Sequence, residues 1–426
     1  MQLAEDFLHY IWKFRMFRQQ NLFTSTGQSL EILQTGFHNL NAGPDFEDSR
    51  IRIQDTTWAG NIEIHLRSSD WFRHNHQTDP AYNSVILHVV YDCDKEVFLE
   101  NGTSVPQICI RELIPDQVVE NYKNLMMGLN WIPCEKQIAT VDPFIVKSWL
   151  SRILIERLEK KSIIFKALLA EYKGSWDDSF YIILARNFGF KTNSLPFELL
   201  ARSLPQQILS KHKNNEMQIE ALVFGQAGFL DQKFKDHYPL KLKKEYQFLK
   251  AKYNLATVDH FTWKYMRLRP ANFPGVRLAQ FAALIIKSSH LFSKIIEIKN
   301  VQSIIMMFKD LPINSYWDTH FRFDSNSEKS FKQIGDQSIN NILINTVAVS
   351  LFAYGRQTAH QAYVNRAIEL LENVPAESNK IVNQYVQIGL QPEKADFTQA
   401  LLQLKQAYCD QKKCLLCGIG INILKQ

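Results

Sequence analysis

The stretch GPDFEDSRIRIQDTTWAGNIEIHLRSSDW, residues 43–71, decides the fold of the first part of this chain. Its second half alternates apolar and polar residues, a pattern typical of a β-strand with one buried face. Side chains two positions apart on a strand share a face, so Glu63 and His65 project together. A polar face of this kind must be hydrated, paired or bound to a metal ion. The stretch therefore predicts a strand that carries a functional site.

The position of Asp45 relative to this strand depends on how the two halves of the stretch pair. A tight turn at residues 55–56 with simple antiparallel pairing puts Asp45 opposite Leu66, roughly 10 Å along the strand from Glu63. Two carboxylates at that separation do not share one ion. A β-bulge in the WAGN segment, where Gly60 supplies the required backbone conformation, would slide Asp45 towards Glu63. We expect such a bulge if the two acids act together.

The first 130 residues predict an α/β domain. Apolar residues at helical spacing indicate an opening helix over residues 3–19, and the segment DWFRHNH predicts a short helix. Runs of alternating or apolar residues, bounded by turn residues, predict strands at 30–36, 49–54, 58–66, 84–92, 97–102 and 107–113.

The hydrophobic period changes after about residue 140. Segments such as PFIVKSWLSRILIERLEKKSIIFKALLAEY place apolar residues at helical spacing between proline, glycine or polar breaks. We expect a domain over residues 1–130, a linker over 131–149, and a mainly α-helical domain over 150–426. The predicted fold class is α+β.

Composition and charge limit the function. Hydrophobic residues make up 46% of the chain, which is enough for folded cores. An acidic start and the lack of a long apolar run favour a cytoplasmic protein with no membrane segment. Residues 1–130 carry 17 acidic and 10 basic side chains, whereas the remainder carries 26 acidic and 39 basic ones. An acidic domain suits divalent cations and a basic one suits DNA or RNA, although solvated surface charge explains the asymmetry equally well.

The order of elements resembles the core of the PD-(D/E)XK nuclease superfamily: a helix, a three-stranded meander, a helix and a further strand. GPD and EIH stand in the place of its signature. The resemblance implies that Asp45 and Glu63 bind Mg²⁺ or Mn²⁺, with the backbone carbonyl of Ile64 as a third ligand. It also implies metal-dependent hydrolysis of phosphodiesters in DNA or RNA. Glu5 or Glu31 would take the place of the extra acid that some members carry.

His65 departs from this pattern, because it takes the position of the superfamily's lysine. A histidine with an ordinary pKa is mostly neutral at pH 7 and cannot act as a permanent cation. It can instead serve as a general base. If the departure removes catalysis, the chain is a nucleic-acid-binding or scaffolding protein on a degenerate nuclease fold.

A longer string, GFHNLNAGPDF followed by GNIEIHLRSSDWFRHNH, is similar to a bacterial family of uncharacterised proteins. The similarity extends to NWIPCE, RLRPANFPGVRLAQ and CLLCGIG, and so covers most of the chain. Similarity to this family does not indicate an activity.

The histidines of the first domain allow a rival interpretation. His74 and His76, beside Asp70 and Asp79, suggest a transition-metal site that would serve a hydrolase acting on some other substrate. Histidines on a loop are also common as polar surface, and a supporting role beside the carboxylate site is a further alternative. The chain contains no phosphate-binding loop, dinucleotide fingerprint or nucleophile elbow, which disfavours nucleotide hydrolysis and serine chemistry.

Two further groups of residues indicate binding. Arg267, Arg269 and Arg277 surround two prolines and suit phosphate recognition at a helix start. The alternative is that they bond carbonyls or acids there. The C-terminal thiols follow a C-x₄-C-x₂-C spacing, and a thiolate site for zinc or an iron–sulfur cluster needs a fourth ligand, for which Cys134 is the candidate. Free buried thiols near a helix end are the alternative. The three C-terminal thiols are Cys409, Cys414 and Cys417.

Overall fold

The computed structural model describes residues 3–288 and 290–426. These residues form two compact units. Unit 1 comprises residues 3–149 and 404–426, and unit 2 comprises residues 150–403, of which Ser289 is not described.

The strands are β1 Leu22–Phe23, β2 Ser29–Gln34, β3 Phe37–His38, β4 Phe46–Ile53, β5 Thr56–Arg67, β6 Val85–Asp92, β7 Gln107–Cys109, β8 His320–Arg322 and β9 Ser325–Asn326. The helices of unit 1 are α1 Glu5–Lys13, α2 Asp70–Arg73 and α3 Asp116–Met127. Helix α4, Pro143–Glu171, begins in the first segment of unit 1 and continues into unit 2. The helices of unit 2 are α5 Trp176–Phe188, α6 Phe190–Ser203, α7 Gln206–Lys211, α8 Glu216–Gln226, α9 His237–Tyr253, α10 Pro274–Lys287, α11 Leu291–Glu297, α12 Val301–Met307, α13 Asp336–Ile342, α14 Ala348–Gln357, α15 Gln361–Asn373, α16 Lys380–Gln387 and α17 Ala395–Gln403. Unit 1 ends with the π-helical segment Leu404–Cys409 and the helix α18 Gly418–Lys425.

Unit 1 is built on a mixed sheet with the strand order β1, β2, β4, β5, β6, β7, and β3 pairs with β4 outside this path. Strands β2, β4 and β5 form an antiparallel meander. Strand β6 runs parallel to β5, and β7 runs parallel to β6. The short helix α2 lies in the connection between β5 and β6. The predicted α+β class is confirmed, with a mixed sheet first and a helical region after it.

Helix α1 is amphipathic and shorter than predicted. It buries Phe7, Leu8, Ile11 and Trp12, which recur at the spacing of one helical face. The sequence predicted a helix as far as residue 19, but α1 ends at Lys13. Arg15 adopts a positive φ of 49°, a left-handed conformation that cannot continue a right-handed helix.

The C-terminal segment packs in unit 1, whereas the sequence placed it with the helical domain. Helix α18 buries Ile419, Ile423 and Leu424. The Asn121 side chain on α3 donates a hydrogen bond to the Ile423 carbonyl at 3.1 Å, and Lys412 donates to the Met126 carbonyl at 2.7 Å. An apolar helix of this kind is buried against whichever apolar surface is complementary to it. The order of segments in the sequence does not show which surface that is.

Unit 2 is helical apart from the hairpin of β8 and β9, which the sequence analysis did not predict. The helix α3 was also not predicted. Residues 97–102, expected as a strand, form only a single bridge between Phe98 and Ser104 around the turn at Gly102. Within the described ranges, no helix combines the length and the apolar character that a membrane span needs.

The glycine at residue 36 should be essential to the sheet because a side chain there has no space. Gly36 has a φ of 87°, and an added Cβ would lie 2.2 Å from Ser49 Oγ and 2.5 Å from the Glu47 carbonyl oxygen. We expect Gly36→Ala to lower the free energy of unfolding by roughly 2–4 kcal/mol, measured by urea denaturation.

Gly27 provides the matched control, since its φ is 79° but nothing lies within 4 Å of an added Cβ. Gly27→Ala should cost only the conformational strain, about 1 kcal/mol. Equal losses in the two variants would contradict the proposed overlap at Gly36.

Candidate functional site

A β-bulge in β4 sets the register that brings Asp45 to Glu63. Ser49 pairs with Gly60, but Phe46 pairs with Ile62, so β4 holds one more residue than β5 between these pairs. Continuing the second register places Asp45 opposite Glu63. A bulge was predicted to bring Asp45 towards Glu63, but in the WAGN segment of β5. The structure has the extra residue in β4 instead.

The extra residue lies at Glu47 or Asp48, and Asp48 has a positive φ of 56°. The turn is also one residue earlier than predicted, since Ile53 pairs with Thr56. Gly60 serves a different purpose from the one predicted, because an added Cβ would lie 2.5 Å from Ile86 Cγ2 on the neighbouring strand.

A loop built around Asn39 holds Asp45 in position. The Asn39 side chain donates hydrogen bonds to the carbonyls of Ala42, at 3.3 Å, and Pro44, at 3.1 Å. The Asn39 backbone N–H donates to the Asp45 carbonyl at 2.8 Å. The segment between β3 and β4 is therefore fixed by an asparagine that satisfies backbone groups in the turn.

The two acids are connected through the backbone. The Asp45 N–H donates to Glu63 Oε2 at 3.1 Å, and the Ile64 N–H donates to Asp45 Oδ2 at 2.9 Å. The resemblance assigned the carbonyl of Ile64 to metal binding; the structure shows its N–H orienting Asp45. Glu63 is 4% exposed, and burial followed by the negative charge of Asp45 raises the pKa of Glu63 to about 9.

Two histidines approach the second carboxylate oxygen of Glu63, and a third contacts one of them. Glu63 Oε1 lies 3.2 Å from His76 Nε2 and 3.5 Å from His65 Nε2, and His74 Nδ1 lies 3.0 Å from His65 Nε2. One nitrogen from each of the three histidines lies within 4.8 Å of the others. We call Glu63, His65, His74 and His76 the histidine–carboxylate cluster.

Local structure explains how two neighbouring histidines reach one point. His74 ends α2, and Asn75 adopts a left-handed conformation with a φ of 63°, which turns the chain so that His76 faces the sheet. The His76 ring stacks on Tyr82 with centroids 3.7 Å apart. His76 is buried and His74 is exposed, so the cluster is accessible on the side of His74.

His65 and His88 form a buried pair behind the cluster. His65 Nδ1 lies 2.8 Å from His88 Nε2. Burial, followed by the neighbouring histidines, lowers the pKa of His65 to about 2, and burial lowers the pKa of His88 to about 3. Both imidazoles are therefore neutral at physiological pH, the form in which histidine binds metals. His88 orients His65 through the ring nitrogen that points away from Glu63.

Helix α1 contributes two groups to the site. His9 Nε2 lies 3.2 Å from Asp45 Oδ2. Burial lowers the pKa of His9, but the hydrogen bond and charge of Asp45, with Asp6 and Glu5, outweigh it and raise the pKa. Burial raises the pKa of Glu5, which also interacts with His74, Asp70, His9 and Asp45.

His9 was not among the site residues predicted from the sequence. Glu5 and His9 are four residues apart and so share one face of α1, which was the available signal. Of the two candidates for an extra acid, Glu5 lies at the site. Glu31 is instead paired with Arg52 at 2.7 Å on the exposed surface.

The two aspartates expected beside the histidines have other partners. Asp70 accepts the Arg67 N–H at 3.1 Å and pairs with Arg73 at 3.1 Å. Asp79 accepts the Ala81 N–H at 2.9 Å and so caps a short 3₁₀ turn. The acid that meets the histidines is Glu63, from the neighbouring strand.

The three arginines of the RLRPANFPGVRLAQ segment differ in their solvent exposure. Arg267 and Arg269 are exposed. Arg277 is 6% exposed, and its guanidinium donates to Gln280 at 2.9 Å and to Ser338 at 2.9 Å. Neighbouring side chains thus hold the Arg277 guanidinium, and its predicted role in phosphate recognition stays a prediction. The alternative predicted from the sequence was that these arginines bond neighbouring groups at the helix start. The hydrogen bonds of Arg277 to Gln280 and Ser338 are similar to that alternative.

The four cysteines of the predicted thiolate site lie in unit 1 and line one small cavity. All four are buried, whereas Cys93 and Cys109 are exposed.

The fold and the site define an α+β protein whose mixed sheet carries a buried cluster of one carboxylate and several histidines. The chain belongs to the family described as Protein of unknown function (DUF2851), and the match covers residues 5–380. The predicted membership of a family of uncharacterised proteins is thereby confirmed. No curated protein and no solved structure matches the chain.

The buried carboxyl of Glu63 should make the stability of the metal-free protein fall as pH rises. Its pKa of about 9 in the folded state lies above the ordinary value near 4.5. The stabilising effect of the protonated form is therefore fully present below about pH 4.5 and is lost as pH rises towards 9. Glu63→Gln keeps a neutral group at every pH. With a chelator present, its thermal midpoint should fall less between pH 6 and pH 9 than that of the wild type.

Glu31→Gln removes an exposed carboxylate outside the cluster and should follow the wild-type curve. Parallel curves for wild type and Glu63→Gln would show that Glu63 does not carry a raised pKa.

Proposed function

We propose that unit 1 hydrolyses phosphodiester bonds in DNA or RNA with a divalent metal ion held by the histidine–carboxylate cluster. The observation that carries this proposal is the convergence on Glu63 Oε1 of His76 Nε2, at 3.2 Å, and His65 Nε2, at 3.5 Å. Nitrogen and oxygen donors that meet in this way from two separate elements are typical of a metal site.

The donors fit an ion that accepts nitrogen as well as oxygen. His76 Nε2 is buried and makes no hydrogen bond within the described residues, although it lies beside Glu63. Buried polar atoms normally have a partner, so a nitrogen left over at this point supports a ligand role. Mg²⁺ prefers oxygen donors, whereas imidazole suits Mn²⁺ and later transition metals. Of the two ions that the resemblance implied, the donor set therefore favours Mn²⁺.

The chain's own groups would orient the reaction. When bound, the ion supplies charge that polarises a phosphoryl oxygen and acidifies a water molecule. Asp45 is held by the Ile64 N–H and is only partly buried, so one carboxylate edge can accept a proton from a water molecule. The raised pKa of His9 favours its protonated form next to Asp45, and a positive charge there can attract a phosphate.

His65 has a different role from the lysine whose position it takes. It is 2% exposed and its pKa is lowered to about 2, so it is neither a cation nor an effective base near neutral pH. In this proposal His65 binds the ion through Nε2. The cationic role passes to His9, which lies on α1 rather than on β5.

Support for a phosphodiester substrate comes from the sheet. The order α1, β2, β4, β5, α2 and β6, with an antiparallel meander and a final parallel strand, is the order that the nuclease resemblance implies. Asp45 and Glu63 stand opposite each other on neighbouring strands, as shared action at one phosphate requires. The exposed Arg267 and Arg269 remain candidates for nucleic-acid contact, each in unit 2.

A second candidate function is a metal-dependent hydrolase with another substrate. The observation that favours it is the excess of imidazole over carboxylate in the cluster, since nitrogen-rich sites are common in hydrolases that use zinc. The two candidates share the metal site and differ in substrate. Parallel assays on single-stranded and double-stranded DNA and RNA, and on carboxylic ester and phosphomonoester substrates, would separate them.

Cleavage of nucleic acid in the presence of Mn²⁺ is the direct test of the first candidate. Asp45→Asn and Glu63→Gln should each lower the cleavage rate by roughly a hundredfold or more, since each removes a group that holds the ion or moves a proton. Glu31→Gln, which alters an exposed carboxylate of similar size, should retain the wild-type rate.

Thermal unfolding of each variant shows whether a lost rate reflects lost folding. Cleavage that survives both substitutions would remove this site from consideration. Binding of DNA or RNA without cleavage, over all ions tested, would support the non-catalytic alternative in its place.

A further inference from the structure

Four of the six cysteines meet in unit 1 although they come from distant parts of the chain. We call them the cysteine cluster: Cys134, Cys409, Cys414 and Cys417. Their exposed fractions lie between 6% and 9%, and all four line a single small cavity with Pro133, Leu404 and Ile419. None of the six cysteines forms a disulfide.

Each cysteine stands at the end of a short structural element. Cys134 lies in a turn where its carbonyl accepts the N–H groups of Gln137, at 3.0 Å, and Ile138, at 2.8 Å. Cys409 ends the π-helical segment Leu404–Cys409. Cys414 begins a 3₁₀ turn, and Cys417 precedes α18 as its N-cap. These positions are fixed by backbone hydrogen bonds, which suits ligands whose geometry must be held.

We propose that the cysteine cluster is a tetrathiolate metal centre that binds a zinc ion or an iron–sulfur cluster and joins the C-terminal segment to the turn at Cys134. This proposal does not depend on the proposed hydrolytic function, because the cysteine cluster shares no residue with the histidine–carboxylate cluster.

The shared cavity supports this assignment, since all four thiols line one small space. Burial raises the pKa of the Cys134 thiol, and the charges of Cys409, Cys417 and Cys414 raise it further. Four thiols drawn together from segments separated by about 275 residues are not required for packing, because any small apolar residue would fill the same space. Four thiolates are the full ligand set of a structural zinc site or a cuboidal iron–sulfur cluster.

The surroundings can accommodate the negative charge of bound thiolates. Burial raises the pKa of Cys417, but the backbone N–H groups of Gly420 and Ile419 at the start of α18 oppose this shift. Lys412 has the same effect on Cys414, whose pKa burial and Cys417 raise to about 12. Hydrogen bonds and positive charge near sulfur are features that stabilise metal thiolates.

A glycine permits the close packing around the cluster. An added Cβ at Gly420 would lie 2.4 Å from the Cys414 carbonyl oxygen. The 3₁₀ turn at Cys414 and the first turn of α18 therefore approach each other only because residue 420 has no side chain. This approach brings Cys414 and Cys417 to the same cavity.

The experiment uses the full chain, purified without oxygen and without added metal. Zinc, iron and acid-labile sulfide are measured per chain, and X-ray absorption at the edge of the metal found identifies its ligands. We expect about one zinc ion with sulfur neighbours at about 2.3 Å, or iron with sulfide and sulfur neighbours. The ligand type separates this centre from the histidine–carboxylate cluster, which offers only nitrogen and oxygen.

Variants test the individual ligands. Cys414→Ser should lose most of the sulfur-bound metal and lower the thermal midpoint by roughly 10 °C, because the metal is bound only in the folded state. Cys109→Ser is the matched control, since Cys109 is exposed and lies outside the cluster. It should keep the wild-type metal content.

Two results would overturn the proposal. One is a protein that holds neither zinc nor iron, both as purified and after anaerobic reconstitution with zinc or with iron and sulfide. The other is a bound metal whose neighbours are only nitrogen and oxygen. If Cys414→Ser does not fold, the absorption spectrum of the wild-type protein still decides between these outcomes.

Discussion

The extra residue in β4 determines which side chains meet at the candidate site. Without it, the pairing of Ser49 with Gly60 would continue and Asp45 would stand opposite Ile64, whose side chain points to the other face of the sheet. A shift of one residue exchanges the faces of a strand, so the bulge decides whether Asp45 meets Glu63 or the apolar core. The Asn39 loop and the hydrogen bond from the Ile64 N–H then hold Asp45 at that position.

Burial of so many polar groups is tolerated because most of them are neutral. An isolated charge in a protein interior is costly, and titratable groups there shift their pKa and lose the charge. Glu63 is protonated at neutral pH when no metal is bound, and His65 and His88 carry no charge. A divalent ion would reverse this preference, since it stabilises the ionised carboxylate and uses the neutral imidazoles directly. Charge is retained at the more exposed edge of the site, where His9 lies beside Asp45.

The C-terminal segment gives unit 1 a second group of chemically active side chains. Residues 404–426 return to the unit that begins the chain, and α18 covers part of α3 there. The loop between Cys134 and Cys409 contains about 275 residues, and a cross-link that closes a long loop removes much of the freedom of the unfolded chain. Unit 1 therefore combines a polar cluster on its sheet with a sulfur-rich cluster near its chain ends.

The sequence by itself predicted the elements whose patterns are local. The alternation around Glu63 indicated β5, the apolar run at residues 84–92 indicated β6, and the helical spacing after residue 140 indicated the helical region. It also indicated that Glu63 and His65 share a face, and it predicted that Cys134 joins the three C-terminal cysteines in one site. These features depend on the two-residue and 3.6-residue periods of the backbone, which a sequence records directly.

Only the tertiary structure decided which of these residues lie together. The bulge lies where Asp48 adopts a positive φ, and such a conformation in a residue other than glycine leaves no clear pattern in the sequence. His9 lies beside Asp45 and His76 lies beside Glu63, although each pair comes from separate elements. The Arg277 guanidinium donates a hydrogen bond to the side chain of Ser338. Contacts of this kind depend on how the helices and strands pack. That packing depends on interactions between residues that are far apart in the chain.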